Sequence, residues 1–310
     1  MDTASTRETR RTRLVQRFHR MDETKFGLLL LSPAMVVLLG ILGIPIGYAI
    51  VMSFQRIELT ISPERPFVGL ENYAEVLSSP ALHASVWRTL VFAAMTVVSS
   101  VLLALVLALL LNEQFRGRKV VRVLFLLPWA VAPVVSGVLW RFLFQSNYGL
   151  VNAVLYQLGV IKQYVTWLND ATIALSIASI ATTWKTTPFL MLIILAALQS
   201  IPESLFRAAR MDGAGPWARF RAITLPHLRG ILVFSVVMQT IVSLQTFDLI
   251  FTLTRGGPGQ ETVVLSFLVF INAFERLSLG AASAMAILLA ILIIIAGSLS
   301  MLFMLSRRRA

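Results

Sequence analysis

Gln239, Ser243 and Thr246 stand at i, i+4 and i+7 within one long apolar run, which puts an amide and two hydroxyls on one face of a helix. Amides and hydroxyls both donate and accept hydrogen bonds, so such a face complements the hydroxyls of a sugar. A second apolar run carries Thr182, Thr183, Lys185, Thr186 and Thr187 around Trp184. Polar groups inside apolar spans are costly, and they line a cavity or bind a partner helix. Ser and Thr also serve helix packing in membranes, so for each hydroxyl both roles stay open. Lys185 is a cation that pairs with Asp248, snorkels, or meets an anionic solute.

A different chemistry is offered by residues 202–226. Glu203–Met211 consists mostly of good helix formers, and Pro202 suits a first helical turn. Gly213 and Gly215-Pro216 then break the helix, and a second amphipathic stretch, Trp217–Ile223, leads to Leu225-Pro226. Two short helices with a sharp bend form an element that fits a partner's groove, although an ordinary basic connector has the same composition. Covalent chemistry has no visible machinery. There is no Gly-x-x-x-x-Gly-Lys-Ser/Thr phosphate loop, there is no cysteine, and His19, His83 and His227 are scattered. No metal, cofactor or catalytic group is therefore expected in this chain, and energy from ATP must enter through another subunit.

The elements that position these groups follow from composition. Of 310 residues, 57% are hydrophobic and only 14% charged, against about 25% charged in a soluble domain; mean hydropathy is +0.80. A spanning helix needs about 20 mostly apolar residues. Runs over 26–54, 90–111, 123–144, 173–198, 231–253 and 281–305 qualify, predicting an all-α, polytopic membrane protein with six transmembrane helices. The stretch 263–274 is too short to cross and is expected to lie at an interface or re-enter.

The net charge of +12 is a topology signal and not a nucleic-acid footprint. Arg7, Arg10, Arg11, Arg13, Arg17, Arg20 and Lys25 precede or open the first span. Arg116, Arg118, Lys119 and Arg122 join spans two and three; Arg207, Arg210, Arg219, Arg221 and Arg229 join spans four and five; Arg307, Arg308 and Arg309 end the chain. These groups alternate with loops poorer in Lys and Arg, so both termini are expected to be cytoplasmic. Residues 1–25 read as a basic tail able to touch anionic lipid, with a following apolar run too long for a cleaved signal. Residues 26–306 read as the transmembrane domain and 307–310 as a second tail. The loops 55–88 and 145–170 would face outward. Trp140 and Trp167 are expected to be interface anchors, and Arg141 to snorkel.

Asp212-Gly213-Ala214 followed by Ile223-Thr224-Leu225-Pro226 resembles the loop signature of the carbohydrate subfamily of binding-protein-dependent ABC permeases. Leu127-Pro128-Trp129 with Trp140-Arg141-Phe142 is similar to that family's third span. Trp184-x-x-x-Pro188-Phe189 and Leu198-Gln199-x-Ile201-Pro202 resemble its fourth. Leu253-Thr254-Arg255-Gly256-Gly257-Pro258 with Glu261-Thr262 resembles the loop after its fifth, in the form more typical of the first of the two permeases. The likeness covers most of the chain. It departs from the family at Arg207, which stands where a glutamate usually meets the ATPase. Glu203, one helical turn earlier, is placed to pair with it.

The resemblance implies a type I ABC-importer permease fold in the cytoplasmic membrane. It implies ATPase coupling through Glu203, Arg207, Ala208, Ala209, Asp212, Gly213, Leu225 and Pro226. It also implies sugar contacts at Trp129, Thr182, Lys185, Thr186, Phe189, Gln239, Ser243 and Thr246, with Trp129 stacking on a pyranose. The implied partners are a second related permease, two copies of a sugar-importer-type ATPase that uses ATP and Mg, an extracytoplasmic sugar-binding protein, the sugar and membrane lipid. An importer of glycerol-3-phosphate or another polyol phosphate is the alternative that Lys185 would favour. An ion-coupled secondary transporter would require inverted repeats or an intramembrane proton relay, and no repeat is found. A scaffold without transport leaves the polar face on the fifth span unused.

Overall fold

The computed structural model describes residues 23–62 and 64–306. Most of the basic tail (Arg7, Arg10, Arg11, Arg13, Arg17 and Arg20), Pro63 and Arg307, Arg308 and Arg309 lie outside those residues. The chain divides after Met52 into two compact units. The first holds α1 (Glu23–Leu38), a π turn at Leu39–Gly43 and most of α2 (Ile44–Ser53). The π turn directly precedes Pro45, whose ring would clash with the carbonyl four residues back in a regular helix; widening the turn makes room.

In the second unit, α3 (Glu71–Ser78) leads into α4 (Pro80–Asn112). After it come α5 (Arg118–Ala130), α6 (Pro133–Leu143), α7 (Leu150–Gln157) and α8 (Ala171–Gln199). The remaining helices are α9 (Glu203–Met211), α10 (Pro216–Arg219), α11 (Leu225–Gln245), α12 (Asp248–Thr254), α13 (Leu265–Phe270) and α14 (Leu279–Ser306).

The long pair α4 and α8 forms the central seam. Ser85, Thr89, Ala93, Thr96, Ser100, Ala104 and Ala108 are all buried on α4 at helical spacing, a small-residue stripe of the kind that lets helices approach closely. Hydroxyls bridge it: Thr96 to Ser179 at 3.0 Å, Ser99 to Thr183 at 2.7 Å and Ser100 to Thr186 at 3.3 Å. Numbers rise together on both helices, so α4 and α8 run parallel. The chain must therefore cross back between them, and α5 with α6 carries it.

That crossing corrects the expected third span. Instead of one helix over 123–144, α5 and α6 meet at a 98° bend. Pro133 disfavours helical geometry in the residue before it, and Ala132 is extended at φ −61°, ψ 143°. Among the described residues, five continuous helices plus this broken pair give six spans. The fifth is shifted too. A continuous helix runs from Pro216 to Gln245, then breaks at Thr246–Phe247 before α12. The second begins at Pro80, ten residues earlier than its hydropathy indicates.

Two apolar clusters occupy opposite ends of the seam. Ala104, Ala108 and Leu111 meet Ile194, Leu198 and Leu228 at one end; Leu82 and Phe92 meet Leu175, Leu249, Leu253 and Phe267 at the other. The basic segments 113–122 and 202–221 thus share the first end. There Arg118 donates to the carbonyls of Asn112 and Glu113, and Arg122 to that of Leu111, closing the C-terminus of α4.

The stretch 263–274 is short and inward-packed, as α13 continuing into a π turn at Ile271–Glu275. Its first N–H, that of Leu265, donates to Thr89 Oγ1 at 2.8 Å. Thr89→Val keeps the volume but removes the acceptor, so a buried N–H is left unpaired at a cost of about 1–3 kcal/mol. A lowered melting temperature of the purified protein is expected, and an unchanged one would contradict the role given to Thr89.

The tryptophans expected at the interface turn inward. Trp167 Nε1 donates to Asn152 Oδ1 at 2.8 Å, and Asn152 also bonds the carbonyls of Ser146 and Val165. Trp140 packs edge-on to Trp184 at 6.1 Å.

Candidate functional site

On α8, Thr182, Lys185, Thr186 and Phe189 stand at i, i+3, i+4 and i+7 and share one face. Pro188 lacks the N–H that the carbonyl of Trp184 would take in a regular helix. Thr182 is buried and donates to the carbonyl of Ala178 at 2.9 Å. Thr186 donates to the carbonyl of Thr182 at 2.9 Å and faces Ser100 across the seam. Both hydroxyls are thus engaged by helix backbone and helix packing. Phe189 is brought onto Trp129 of α5, with ring centroids 5.5 Å apart and planes 17° from parallel. Trp129 remains 51% exposed, and Lys185, one helical turn before Phe189, is itself partly exposed. Lys185 and Asp248 are not ion-paired.

Gln239 and Ser243 lie buried on one face of α11, at 2% and 1% exposure. Gln239 Nε2 and Ser243 Oγ have no hydrogen-bond partner. Buried polar atoms are nearly always paired, so two orphans one turn apart mark a place where hydrogen-bonding capacity is held open. Thr246 stands at the end of this face. It ends the helix at ψ 121°, with its hydroxyl donating to the carbonyl of Val242 at 2.7 Å and its own carbonyl accepting from Ser266. Among the described residues no hydrogen bond joins the α11 pair to the α8 set.

Four further buried polar atoms lack a partner, outside the predicted site set: Arg122 Nε, Ser136 Oγ, Trp140 Nε1 and Thr187 Oγ1. Thr187 lines an apolar crevice of about 430 Å³ with Pro128, Trp184 and Pro188. The hydroxyl stripe of α4 was also missed, although its three-to-four-residue recurrence is visible in the sequence.

The loop set is organised by α9. Phe206 packs inward on the cluster around Leu228, while Leu205 and Met211 are exposed. Glu203, Arg207 and Ala208 face outward with them, and Ala209 is half-buried. Glu203 and Arg207 are not ion-paired, contrary to expectation; both side chains stand in solvent, where such a pair is worth little.

The helix closes on Gly213 at φ +75°, with Gly213 N–H to the carbonyl of Arg210 and Ala214 N–H to that of Ala209. This is a Schellman stop, which needs a left-handed residue at Gly213. Asp212 contributes its backbone N–H, to the carbonyl of Ala208. The second expected helix is not separate. Pro216 opens the continuous helix, and a π turn at Phe220–Thr224 absorbs Pro226, so Leu225 and Pro226 lie inside it. Trp217 is 71% exposed and stacks on Phe220 at 5.4 Å.

Residues 100–309 match the family described as "Binding-protein-dependent transport system inner membrane component". The chain belongs to this family. It is 40% identical to the trehalose/maltose transport system permease protein MalF of Thermococcus litoralis, over 88% of this chain and 91% of that one. It is 36% identical to the sulfoquinovosyl glycerol permease SmoG of Agrobacterium fabrum over 87% of each chain. The trehalose permease SugA of Mycobacterium tuberculosis is 32% identical over 87% of this chain and 85% of its own. The fold superposes with TM-score 0.79 on a bacterial ABC transporter that imports alginate, at 23% identity over 96% of this chain and 99% of that one. A second structure of a bacterial alginate ABC transporter, in complex with a pentasaccharide-bound periplasmic protein, matches with TM-score 0.76 over 93% and 96%. The chain is thus a multi-pass inner-membrane component of the family, with the importer-permease fold.

Proposed function

We propose that this chain is the sugar-translocating permease subunit of an ABC importer. The observation that carries the reading is its 40% identity to a trehalose/maltose permease across nearly all of both chains. The site chemistry agrees: the exposed Trp129 stacked on Phe189, and unpartnered amide and hydroxyl atoms at Gln239 and Ser243, suit a solute with an apolar ring face and many hydroxyls.

The subunit pairs with a second, related permease. Two copies of an ATPase that uses ATP and Mg bind the face formed by Leu205, Arg207, Ala208, Met211 and Trp217, and an extracytoplasmic sugar-binding protein docks at the opposite end. That end assignment makes 113–122, 202–226 and both termini cytoplasmic, in line with their basic residues. Binding protein and ATP together shift the population towards an outward-facing pore, and hydrolysis resets it inward. The chain's contribution is binding and gating, without covalent catalysis.

Lys185 gives the second reading its support: a partly exposed cation with no ion pair suits a phosphate ester. Lys185→Met separates the two. For a neutral sugar the loss of one hydrogen bond lowers uptake by about two- to tenfold. For a phosphate ester, uptake disappears, because the anion enters a low-dielectric site without its counter-charge. Uptake of labelled trehalose and of glycerol-3-phosphate by cells carrying the complex is the measurement. Unaltered uptake of both would remove Lys185 from the site.

A further inference from the structure

At the end of the molecule opposite the basic loops, α6 and α12 cross so closely that a Cβ on Gly137 would meet Thr252 Oγ1 and the carbonyl of Leu249. Beside this crossing the two helices and the segment after α6 flank a half-open cleft of about 350 Å³, in which Arg141 and Arg255 are exposed. Its lining includes Arg141, Gln145 and Arg255, with the rings of Phe142 and Tyr148. No carboxylate lines it. Among the described residues, the Arg141 and Arg255 guanidiniums have no hydrogen-bond or ion-pair partner.

Arg255 projects from a fixed base. It caps α12 at φ +52°, its N–H bonded to the carbonyl of Phe251. The turn that follows is tied by Thr254 to Thr262 at 2.8 Å and by Thr262 Oγ1 to the carbonyl of Gly257 at 2.9 Å. Arg141 sits in the last turn of α6.

Two like charges in one cavity repel, and an anion between them turns that repulsion into two attractions. The guanidinium fork matches a carboxylate with two parallel hydrogen bonds. Phe142 and Tyr148, 5.6 Å apart and tilted, supply an apolar wall, and the Gln145 amide can serve a hydroxyl. A volume of this size is at the lower end of ligand pockets, enough for one monosaccharide unit.

We propose that this cleft is a binding subsite for the acid group of an acidic sugar, of the uronate class, at the outer mouth of the permease. The proposal rests on the sugar-importer reading for its solute class. It differs from the Trp129–Phe189 site in position and in carrying two arginines.

The test uses the assembled importer in lipid nanodiscs, with labelled glucuronate as probe and glucose as the neutral control. Saturable glucuronate binding is expected, with little for glucose. Arg141→Gln and Arg255→Gln each weaken it by about ten- to a hundredfold, the range for a hydrogen bond to a charged group. Arg255→Lys, which keeps the charge and loses the fork, falls between. Neutral-sugar-stimulated ATP hydrolysis stays at the wild-type level in all three, which excludes misfolding.

Glucuronate binding that is absent, or unchanged in the double glutamine variant, would overturn the proposal. So would a double variant that loses affinity only for the sugar-binding protein, because the arginines would then dock a carboxylate of that partner. A wild-type complex that responds to neutral sugars but not to glucuronate overturns this inference alone. One that responds to no sugar overturns the importer reading beneath it.

Discussion

Gly137→Leu should prevent recovery of the folded permease. At this position α6 touches α12 through bare backbone, and an added Cβ falls on Thr252 Oγ1 and 2.7 Å from the carbonyl of Leu249. The carbonyl belongs to a helix and cannot rotate away. Overpacking of a filled core costs about 1–3 kcal/mol and more where backbone must shift, and here a whole helix must move. The expected outcome is loss of the monodisperse peak in size-exclusion chromatography, or a large fall in melting temperature. Gly137→Ala combined with Thr252→Ala should recover part of the loss, because one of the two obstructing groups is gone. Wild-type yield and melting temperature for Gly137→Leu would show that α6 and α12 do not meet in this way.

Gly213→Val should uncouple ATP hydrolysis from transport while leaving the membrane part assembled. Nothing lies within 4 Å of a Cβ at Gly213, so the side chain has room. The cost is in the backbone: at φ +75° an L-residue is disfavoured by about 1–2 kcal/mol, and a β-branched one by more. Relaxing that strain unwinds the stop of α9 and turns its exposed face away from the ATPase. Gly213→Asn should behave nearly as wild type, since asparagine tolerates the left-handed region and the space is open. The measurement is sugar transported per ATP hydrolysed in proteoliposomes. A normal ratio for the valine variant, with normal ATPase recovery, would contradict the coupling role of this turn.

The sequence was most readable where a local cause sufficed. Gly213 sits between a helix-forming run and a Gly-Pro pair, and it ends α9 as that pattern implies. The short apolar stretch after the Gly-Gly-Pro turn is too short to span, and it packs as α13 and a π turn. Hydropathy located the apolar spans among the described residues but could not see breaks within them. The 98° bend at Pro133 and the stop at Thr246 lie inside runs whose summed hydropathy stays high, and a window sum is blind to direction.

Pro226 misled in the other sense. It reads as a boundary, yet the π turn at Phe220–Thr224 lets the helix pass through it. The site residues divide along the same line. Trp129 and Phe189, placed by resemblance, are in contact. Thr182 and Thr186 have the right spacing, but their hydroxyls are held by the backbone and by Ser100. Partner choice among hydroxyls depends on which helix lies alongside, and the parallel arrangement of α4 and α8 is set by tertiary packing rather than by either helix alone.

The most direct test of sugar import is ATP hydrolysis by the purified complex in proteoliposomes, with this chain, its companion permease, the ATPase and the sugar-binding protein, across a panel of sugars. A several-fold rise in hydrolysis with trehalose, maltose or another sugar of the panel, matched by accumulation of that sugar inside the vesicles, is the predicted result. Hydrolysis indifferent to every sugar, in a complex that accumulates a non-sugar solute instead, would contradict it.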